Sequence, residues 1–360
     1  MCYNNIKKLT QEAQPNFGLS FFLYNMKKIL LVILASVSIG AIIFLYYNFR
    51  IAEKVQYNGP IEKIKIAAYK GERSSLIYIA KEKGFFQDNG IEVEILDNDS
   101  GVRSVQSINN SEVDIATAAE YPLVSDILEN ENNLKIFGAI DFVKAYEVIA
   151  NKNSGINSIE DLRGKKIGLK KKSEADFLFG VFLTSHNIAD NEVGIIDLEP
   201  TNAAEKIANG EIDAAVVCDP YTNILKNYLG NNLADWDVQP NRNFYHLLFA
   251  KADYINKNPE LVKRFLIALI QAEKYINSHL LDSQLIVERN IGVDLKYLQR
   301  VWDKNNFSVS LDQSLVLTME DESRWRISKE QLNRKSPNYL NYLDFKILDN
   351  IDSSRVTIIR

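Results

Sequence analysis

The chain has 360 residues, of which 46% are hydrophobic and 25% charged, and its formal net charge is −5. Those proportions are typical of globular proteins. Gly contributes 16 residues and Pro only 8, so a fibrous, linker-like or disordered chain is excluded. The length predicts about two domains and a hydrophobic core that needs no disulfide.

The charge is unevenly distributed along the chain. Residues 1–50 hold five basic residues and one acid, which leaves 37 basic and 46 acidic residues for 51–360. A body this acidic, without a stripe of Lys and Arg, is poorly suited to bind a phosphate backbone. Nucleic acid is therefore not expected as a partner.

The first apolar segment, residues 29–47, reads ILLVILASVSIGAIIFLYY and contains no charge. At about 1.5 Å per residue it just spans a hydrocarbon core of about 30 Å. We predict an uncleaved transmembrane anchor, with a cytoplasmic N-terminus at 1–28 and a linker at 48–60. The alternative is a cleaved signal peptide that starts at Met26, which would make residues 1–25 an over-extended start.

The charges that flank this segment predict its orientation. Four lysines precede it, whereas only Arg50 and Lys54 follow closely. Because basic residues favour the cytoplasmic side, the body is expected on the extracytoplasmic face of the cell membrane.

After the linker, short β-branched runs alternate with amphipathic stretches. This pattern predicts βαβ units, largely parallel sheets and an α/β fold. Beyond Asn258 the pattern turns helical, with Pro259 at a helix start. Strands are predicted at 64–69, 91–96, 113–117, 134–140, 146–150, 166–169, 195–198, 214–217 and 245–250. Helices are predicted at 74–83, 102–108, 122–129, 173–185, 203–208 and 221–228.

An internal repeat divides this body into two lobes. Residues 108–116, INNSEVDIA, align with residues 207–215, IANGEIDAA, at an offset of 99. Each copy reads as a helix end, a turn and a strand. The alignment continues beyond the strands and places Glu120 opposite Asp219. We therefore predict lobe 1 at 61–145, lobe 2 at 146–244, and a return to lobe 1 with C-terminal helices at 245–360.

The ligand site is predicted from a rule for open α/β sheets, in which ligands lie beyond the carboxyl ends of the strands. That rule selects the loops at 70–75, 118–121, 170–176 and 218–221. It also selects the crossings between the lobes near Tyr146 and Phe244.

Several motifs resemble the solute-binding proteins of ABC importers. They are IAKEKGFF at 79–86, GIEVE at 90–94, IEDLRGKKIG at 159–168, and GEIDAA at 210–215 followed by Asp219 and Pro220. The resemblance is to the branch that binds nitrate, taurine, aliphatic sulfonates and thiamine-pyrimidine precursors. It implies a two-lobed type II periplasmic-binding-protein fold, a small-molecule solute, and an ABC permease with its ATPase as partners. It further implies a monomer that uses no cofactor.

The cleft loops of the resembled family and the aromatic residues beside them give a set of candidate ligand-binding residues. They are Tyr69, Arg73, Ser74, Glu120, Tyr121, Tyr146, Ser173, Asp176, Asp219 and Phe244.

Two kinds of solute remain open at this stage. The aligned acids Glu120 and Asp219 favour an aromatic or heterocyclic amine, unless each caps the helix that follows it. Arg73, together with a helix N-terminus at Ser173, favours a sulfonate-like anion. The acids tip the expectation slightly towards the amine.

An enzyme is the main alternative to a binding protein, because the resembled fold also hosts a thiamine-pyrimidine synthase and a desulfinase. The synthase uses a cysteine-rich stretch, and the desulfinase needs a cysteine in the loop after the first strand, where this chain has Lys70 to Arg73. Cys218 is the one thiol of the body and is expected to be a buried hydrophobe. A ligand-sensing module, which would need a cytoplasmic domain, is a third possibility. The three histidines lack metal-ligand spacing, so no metal site is expected.

Overall fold

The computed structural model describes residues 57–130, 133–144, 146–238 and 244–359. The predicted anchor at 29–47 lies outside the described residues. Within those four ranges, no helix combines the length and the apolar character that a membrane span requires.

The described residues form eleven strands, which follow one another along the chain as listed here. They are β1 (Glu62–Tyr69), β2 (Ile91–Asn98), β3 (Ile115–Ala118), β4 (Leu134–Val143), β5 (Tyr146–Asn151), β6 (Lys166–Leu169), β7 (Gly194–Asp197), β8 (Ala214–Cys218), β9 (Leu233–Asp237), β10 (Phe244–Lys251) and β11 (Asn305–Asn306).

The α-helices of the described ranges lie between these strands and after them. They are α1 (Ser75–Glu82), α2 (Phe85–Asp88), α3 (Gly101–Asn109), α4 (Glu120–Asn130), α5 (Glu174–Ser185), α6 (Ala203–Ala208), α7 (Tyr221–Leu229), α8 (Ala252–Lys257), α9 (Pro259–Ser278), α10 (Leu280–Ile291), α11 (Leu295–Val301), α12 (Gln313–Lys329) and α13 (Lys346–Ile351).

Two mixed sheets form the cores of two lobes. The first has the strand order β11-β4-β10-β3-β1-β2 and the second β7-β6-β8-β5-β9. The predicted α/β class with two lobes is confirmed. Among these strands, β1 pairs in parallel with β2 and β3, and β6 pairs in parallel with β7 and β8. Strands β10 and β5 run antiparallel to their neighbours. The expectation of largely parallel sheets is therefore wrong at the crossings, because a strand that arrives from the other lobe enters its sheet from the opposite end.

The predicted internal repeat is confirmed by equivalent hydrogen bonds in the two lobes. In the first copy the Asp114 carboxylate accepts from the backbone N–H of Lys65 at 2.8 Å, and in the second the Asp213 carboxylate accepts from that of Lys166 at 2.8 Å. Each aspartate thus ties the entry of a central strand, β3 or β8, to its parallel neighbour, β1 or β6. The two lobes therefore present corresponding strand ends to each other.

The C-terminal helices complete lobe 1. Residues of α9 such as Phe265 and Leu269 are fully buried in the same apolar core as β1, β3 and β10. Burying an apolar side chain of this size contributes about 1.5–3 kcal/mol, so this packing fixes the strand ends of lobe 1 in place.

Candidate functional site

A partly enclosed cavity with about 30 Å³ of free volume lies between the carboxyl ends of the two sheets. That space holds about two water molecules, so an organic solute needs the two lobes further apart than they lie here. Lobe 1 contributes the end of β1, the start of α3 and the residues after β3, and lobe 2 contributes β8 and the first turn of α5. The lining residues are Tyr69, Arg73, Asp99, Ser100, Gly101, Ala118, Ala119, Pro122, Tyr146, Lys170, Ser173, Glu174, Ala175, Pro200, Val216, Val217, Cys218 and His246.

Arg73 is the buried cation of this cavity. It lies in a single 3₁₀ turn, Glu72–Ser74, between β1 and α1, and only 3% of the residue is exposed. Its guanidinium carbon lies 4.0 Å from the centre of the Tyr69 ring and 5.1 Å from that of Phe244. Two aromatic faces therefore hold the guanidinium in place by cation–π attraction.

The polar contacts of Arg73 are few for a buried guanidinium. Nη2 donates to the Cys218 sulfur at 3.1 Å, and Nε forms no hydrogen bond. In the described part of the chain, no carboxylate forms an ion pair with Arg73. A buried charge is costly unless it is paired, and the described residues offer Arg73 no ion-pair partner.

The lobes touch across the cavity at this position. The Tyr69 hydroxyl of lobe 1 donates to the backbone carbonyl of Asp219 in lobe 2 at 3.0 Å, and it lies 3.5 Å from the Cys218 sulfur. Tyr146, at the start of lobe 2, packs its ring 5.3 Å from the Phe244 ring. The described conformation is therefore one in which the cleft is closed over the cavity.

The other cationic side chain of the lining, Lys170, has carboxylate partners. Its ammonium group lies 3.0 Å from Glu199 and 3.6 Å from Asp197. Next to it, the Ser173 hydroxyl accepts from the N–H of Ala175 at 3.2 Å and so caps α5. Arg73 therefore differs from Lys170 in having its charge available to a solute.

Behind Arg73 lies a group of buried titratable residues. Burial raises the pKa of Glu72 to about 7, and it raises the pKa of Asp141 well above its ordinary value. Burial, followed by the nearby Arg73 charge, lowers the pKa of His246 well below its ordinary value. The Ser74 hydroxyl donates to the Tyr69 carbonyl at 2.7 Å and lies 3.4 Å from His246 Nε2. At neutral pH Asp141 and His246 are therefore uncharged and Glu72 is about half ionised, so this group balances only part of the Arg73 charge.

The carboxylates of the two aligned acids, Glu120 and Asp219, accept hydrogen bonds from other residues of the chain. The Glu120 carboxylate accepts from the backbone N–H of Tyr245 at 2.9 Å. The Asp219 carboxylate accepts from the Thr222 hydroxyl, and Lys304 lies 3.8 Å away. Neither residue is part of the cavity lining.

Three buried carboxylates form the grouping, within the described ranges, that most resembles a metal site. Glu120, Glu174 and Glu322 each place one oxygen within 4.8 Å of the others. Glu174 also accepts from the backbone N–H of Tyr121 at 3.3 Å. The group joins lobe 1, lobe 2 and helix α12, and Glu174 is the member that lines the cavity.

The structure brings four of the ten predicted ligand-binding residues to the cavity lining. These are Tyr69, Arg73, Tyr146 and Ser173. The other six lie outside that lining: Ser74, Glu120, Tyr121, Asp176, Asp219 and Phe244.

Sequence reasoning did not select the segment at residues 99–101 or Pro200, and both line the cavity. The segment follows the carboxyl end of β2, and Pro200 follows β7, so the strand-end rule applies to them as well. Glu174 and Cys218 lay in selected loops without being chosen, because sequence does not reveal which side chain of a loop faces the cleft.

Comparison with known proteins finds one family profile and several relatives that are named as binding proteins. The profile of the family described as NMT1/THI5 like matches residues 73–279. A Bacillus subtilis (strain 168) protein named for the binding of aliphatic sulfonates is 26% identical over 267 residues, which cover 72% of this chain and 80% of that protein. The taurine-binding periplasmic protein of Escherichia coli (strain K12) is 26% identical over 192 residues, covering 53% of this chain and 59% of that protein.

Among solved structures, the alkanesulfonate-binding protein SsuA of Xanthomonas axonopodis pv. citri, bound to MOPS, superposes with a TM-score of 0.70. The match covers 80% of this chain and 99% of that chain at 17% identity. Because the identity is this low, the superposition shows a common two-lobed fold and carries no conclusion about function.

Proposed function

This chain belongs to the NMT1/THI5-like family, and on that premise we propose that it is the solute-binding protein of an ABC importer. In this role it captures a small organic solute between its two lobes and presents it to a permease. The observation that supports this proposal most strongly is the cleft between the lobes, which has a buried guanidinium in its wall that forms no ion pair with a described carboxylate.

The solute is proposed to be an anion that pairs with Arg73. Removing a guanidinium from water costs several kcal/mol, and an oxyanion in the cavity would offset that cost. A planar guanidinium can form two parallel hydrogen bonds to a sulfonate or carboxylate, and the unpartnered Nε of Arg73 is available for one of them. Among such anions we favour sulfonates, because one sequence relative and one structural neighbour are named for binding them.

This proposal replaces the slight preference for an amine drawn from the sequence. That preference depended on Glu120 and Asp219, and both carboxylates accept hydrogen bonds from the protein. Asp99 and Glu174 are acids that line the cavity, so a solute with an amino group at some distance from its anion would also suit the site.

The location is proposed to be extracytoplasmic, since a solute-binding protein must meet its solute before import. One relative is itself named as periplasmic. The tether is proposed to be residues 29–47, on the strength of their uncharged apolar sequence. Cell fractionation with sequencing of the mature N-terminus tests this tether, and a soluble form that begins near Ala41 would contradict it.

A thermal-shift screen of the full chain tests the proposed solute class. The panel pairs anions with amines on matched scaffolds, such as benzenesulfonate with benzylamine and ethanesulfonate with ethylamine, and includes taurine and nitrate. Because a cleft ligand stabilises the folded state by RT ln(1 + [L]/Kd), an anion is expected to raise the unfolding midpoint. Stabilisation by the amines alone would contradict the proposal.

A second candidate function, catalysis through Cys218, is favoured by the position of that thiol in the cavity wall beside Arg73. Its described contacts with Tyr69 and Arg73 do not include a general base. We therefore propose binding without turnover. Mass spectrometry of a bound solute before and after incubation separates the two functions, since conversion that is lost in Cys218→Ala would establish the enzyme.

A further inference from the structure

Helix α12, the last long helix, is built into lobe 1. Its buried residues Leu315 and Met319 belong to the apolar core of that lobe. Further along the helix, the buried Arg326 donates to the Ser125 carbonyl at 2.7 Å and pairs with Glu129, both on α4. The helix therefore moves with lobe 1.

One face of the same helix contacts lobe 2. Trp325 and Lys329 are four residues apart and so lie on one side of α12. The Trp325 ring meets the Phe177 ring of α5 edge to face, with centroids 5.2 Å apart and planes at 85°. Lys329 lies 3.4 Å from Asp176 and 3.4 Å from Asp190, which are both in lobe 2.

A glycine in the middle of α5 provides the space for this contact. A Cβ atom at Gly180 would lie 2.2 Å from Cζ2 of Trp325, which is closer than atoms can approach. Glycine inside a helix costs about 0.5–1 kcal/mol relative to alanine. The close approach of Trp325 accounts for a residue that helix stability alone disfavours.

The contact lies on the helix whose first turn lines the cavity. Ser173, Glu174 and Ala175 face the cavity, and Phe177 and Gly180 follow on the same helix. Tyr121 of lobe 1 stacks on Phe177 at 5.4 Å and meets Trp325 at 5.7 Å. The three rings thus join lobe 1, lobe 2 and α12.

We propose that α12 is an interlobe strap, in which Trp325 and Lys329 hold lobe 2 closed against lobe 1 without any solute. Each aromatic pair contributes a modest attraction, and the ion pairs of Lys329 add to it. Trp325 is a positioning residue in this arrangement, since it acts on the cavity through α5. Because the balance between open and closed lobes enters the apparent Kd, the strap also tunes solute affinity.

Pulsed electron paramagnetic resonance on the full chain tests the strap. Spin labels are attached to keto-bearing residues that replace the exposed Lys81 of lobe 1 and Glu205 of lobe 2, which leaves both native cysteines untouched. The sample contains no added solute, so the result is independent of what the cavity binds. The ratio of long to short interlobe distances is expected to rise about tenfold in Trp325→Ala.

Three further variants separate a strap from a general packing defect. Trp325→Phe keeps an aromatic ring and is expected to recover most of the short distances. Gly180→Ala improves the helix yet displaces Trp325, so it is expected to open the lobes. In the Trp325→Ala background the same glycine change is expected to have no further effect.

Lys329→Gln, at the helix end, is expected to fold normally and to increase the long distances by a smaller factor. This variant keeps the test valid if Trp325→Ala proves unstable. Unchanged distances in Trp325→Ala and Gly180→Ala, or in Lys329→Gln alone if the others do not fold, would overturn the proposal. Equal opening by Gly180→Ala with and without Trp325 would also overturn it.

Discussion

Replacing Arg73 with methionine should leave the solute-free protein as stable as before or stabilise it. The guanidinium is 3% exposed and its described polar contact is one thiol, whereas its desolvation costs several kcal/mol. Methionine has a similar length and needs no counter-ion. The change also removes two cation–π contacts, together about 1–2 kcal/mol. We therefore expect the free energy of unfolding to stay constant or to rise by about 1–3 kcal/mol.

Arg326 provides a matched control, because it is also a buried arginine, at 1% exposure, but has partners. It pairs with Glu129 and with Glu330 at 3.2 Å, and it donates to the Ser125 carbonyl. Hydrogen bonds of charged groups contribute about 1.5–3 kcal/mol each, and the two carboxylates are partly exposed and regain water. Arg326→Met should therefore lower the unfolding free energy by about 2–4 kcal/mol.

Urea denaturation of solute-free full-length chains measures both variants, with an unchanged m-value as the sign that the unfolding transition is comparable. A loss of stability in Arg73→Met equal to that in Arg326→Met would refute the reasoning. Arg73 would then be a structural cation whose charge the protein itself balances.

Two further predictions follow from buried carboxylates. Burial raises the pKa of Glu72 from 4.5 to about 7, so the folded state holds this proton more tightly than the unfolded state does. As pH rises from about 4.5 to 7, the unfolding free energy of the wild type should therefore fall by about 3 kcal/mol relative to that of Glu72→Gln. Urea titrations at several pH values measure both proteins. A difference between their unfolding free energies that does not change with pH would contradict this prediction. Asp114→Ala and Asp213→Ala each remove one hydrogen bond between a carboxylate and the backbone of a neighbouring strand. Calorimetry should therefore find that each variant loses about 1–3 kcal/mol of unfolding free energy. A loss in only one of the two variants would contradict the equivalence of the two aspartates.

Local patterns predict much of this fold because its strands and helices are locally encoded. Strand β1, predicted at 64–69, extends over Glu62–Tyr69, and the repeat at 108–116 and 207–215 has equivalent geometry in both lobes. Strand β9, Leu233–Asp237, is not predicted, because two of the five residues of its sequence LADWD are acids, which are uncommon in strands. The strand lies at the edge of its sheet. Pairing with a neighbouring strand, rather than local propensity, determines such a strand.

The site is predictable as a set of loops and not as a set of side chains. Strand ends locate the cavity, but whether Glu120 or Glu174 faces it depends on which backbone N–H groups each carboxylate can reach, and Tyr245 is 125 residues from Glu120. The strap at Trp325 depends in the same way on a distant glycine. Contacts between residues this far apart in sequence leave no local pattern.

Isothermal titration of the best anion from the screen into Arg73→Gln and Glu120→Gln tests the central claim most directly. The account predicts that Arg73→Gln weakens binding by about 2–5 kcal/mol, or roughly 30-fold to several thousand-fold, because it removes the charge partner of a desolvated anion. Glu120→Gln should leave the affinity within about threefold, since this carboxylate lies outside the cavity lining. Binding that survives Arg73→Gln and is lost in Glu120→Gln would contradict the account.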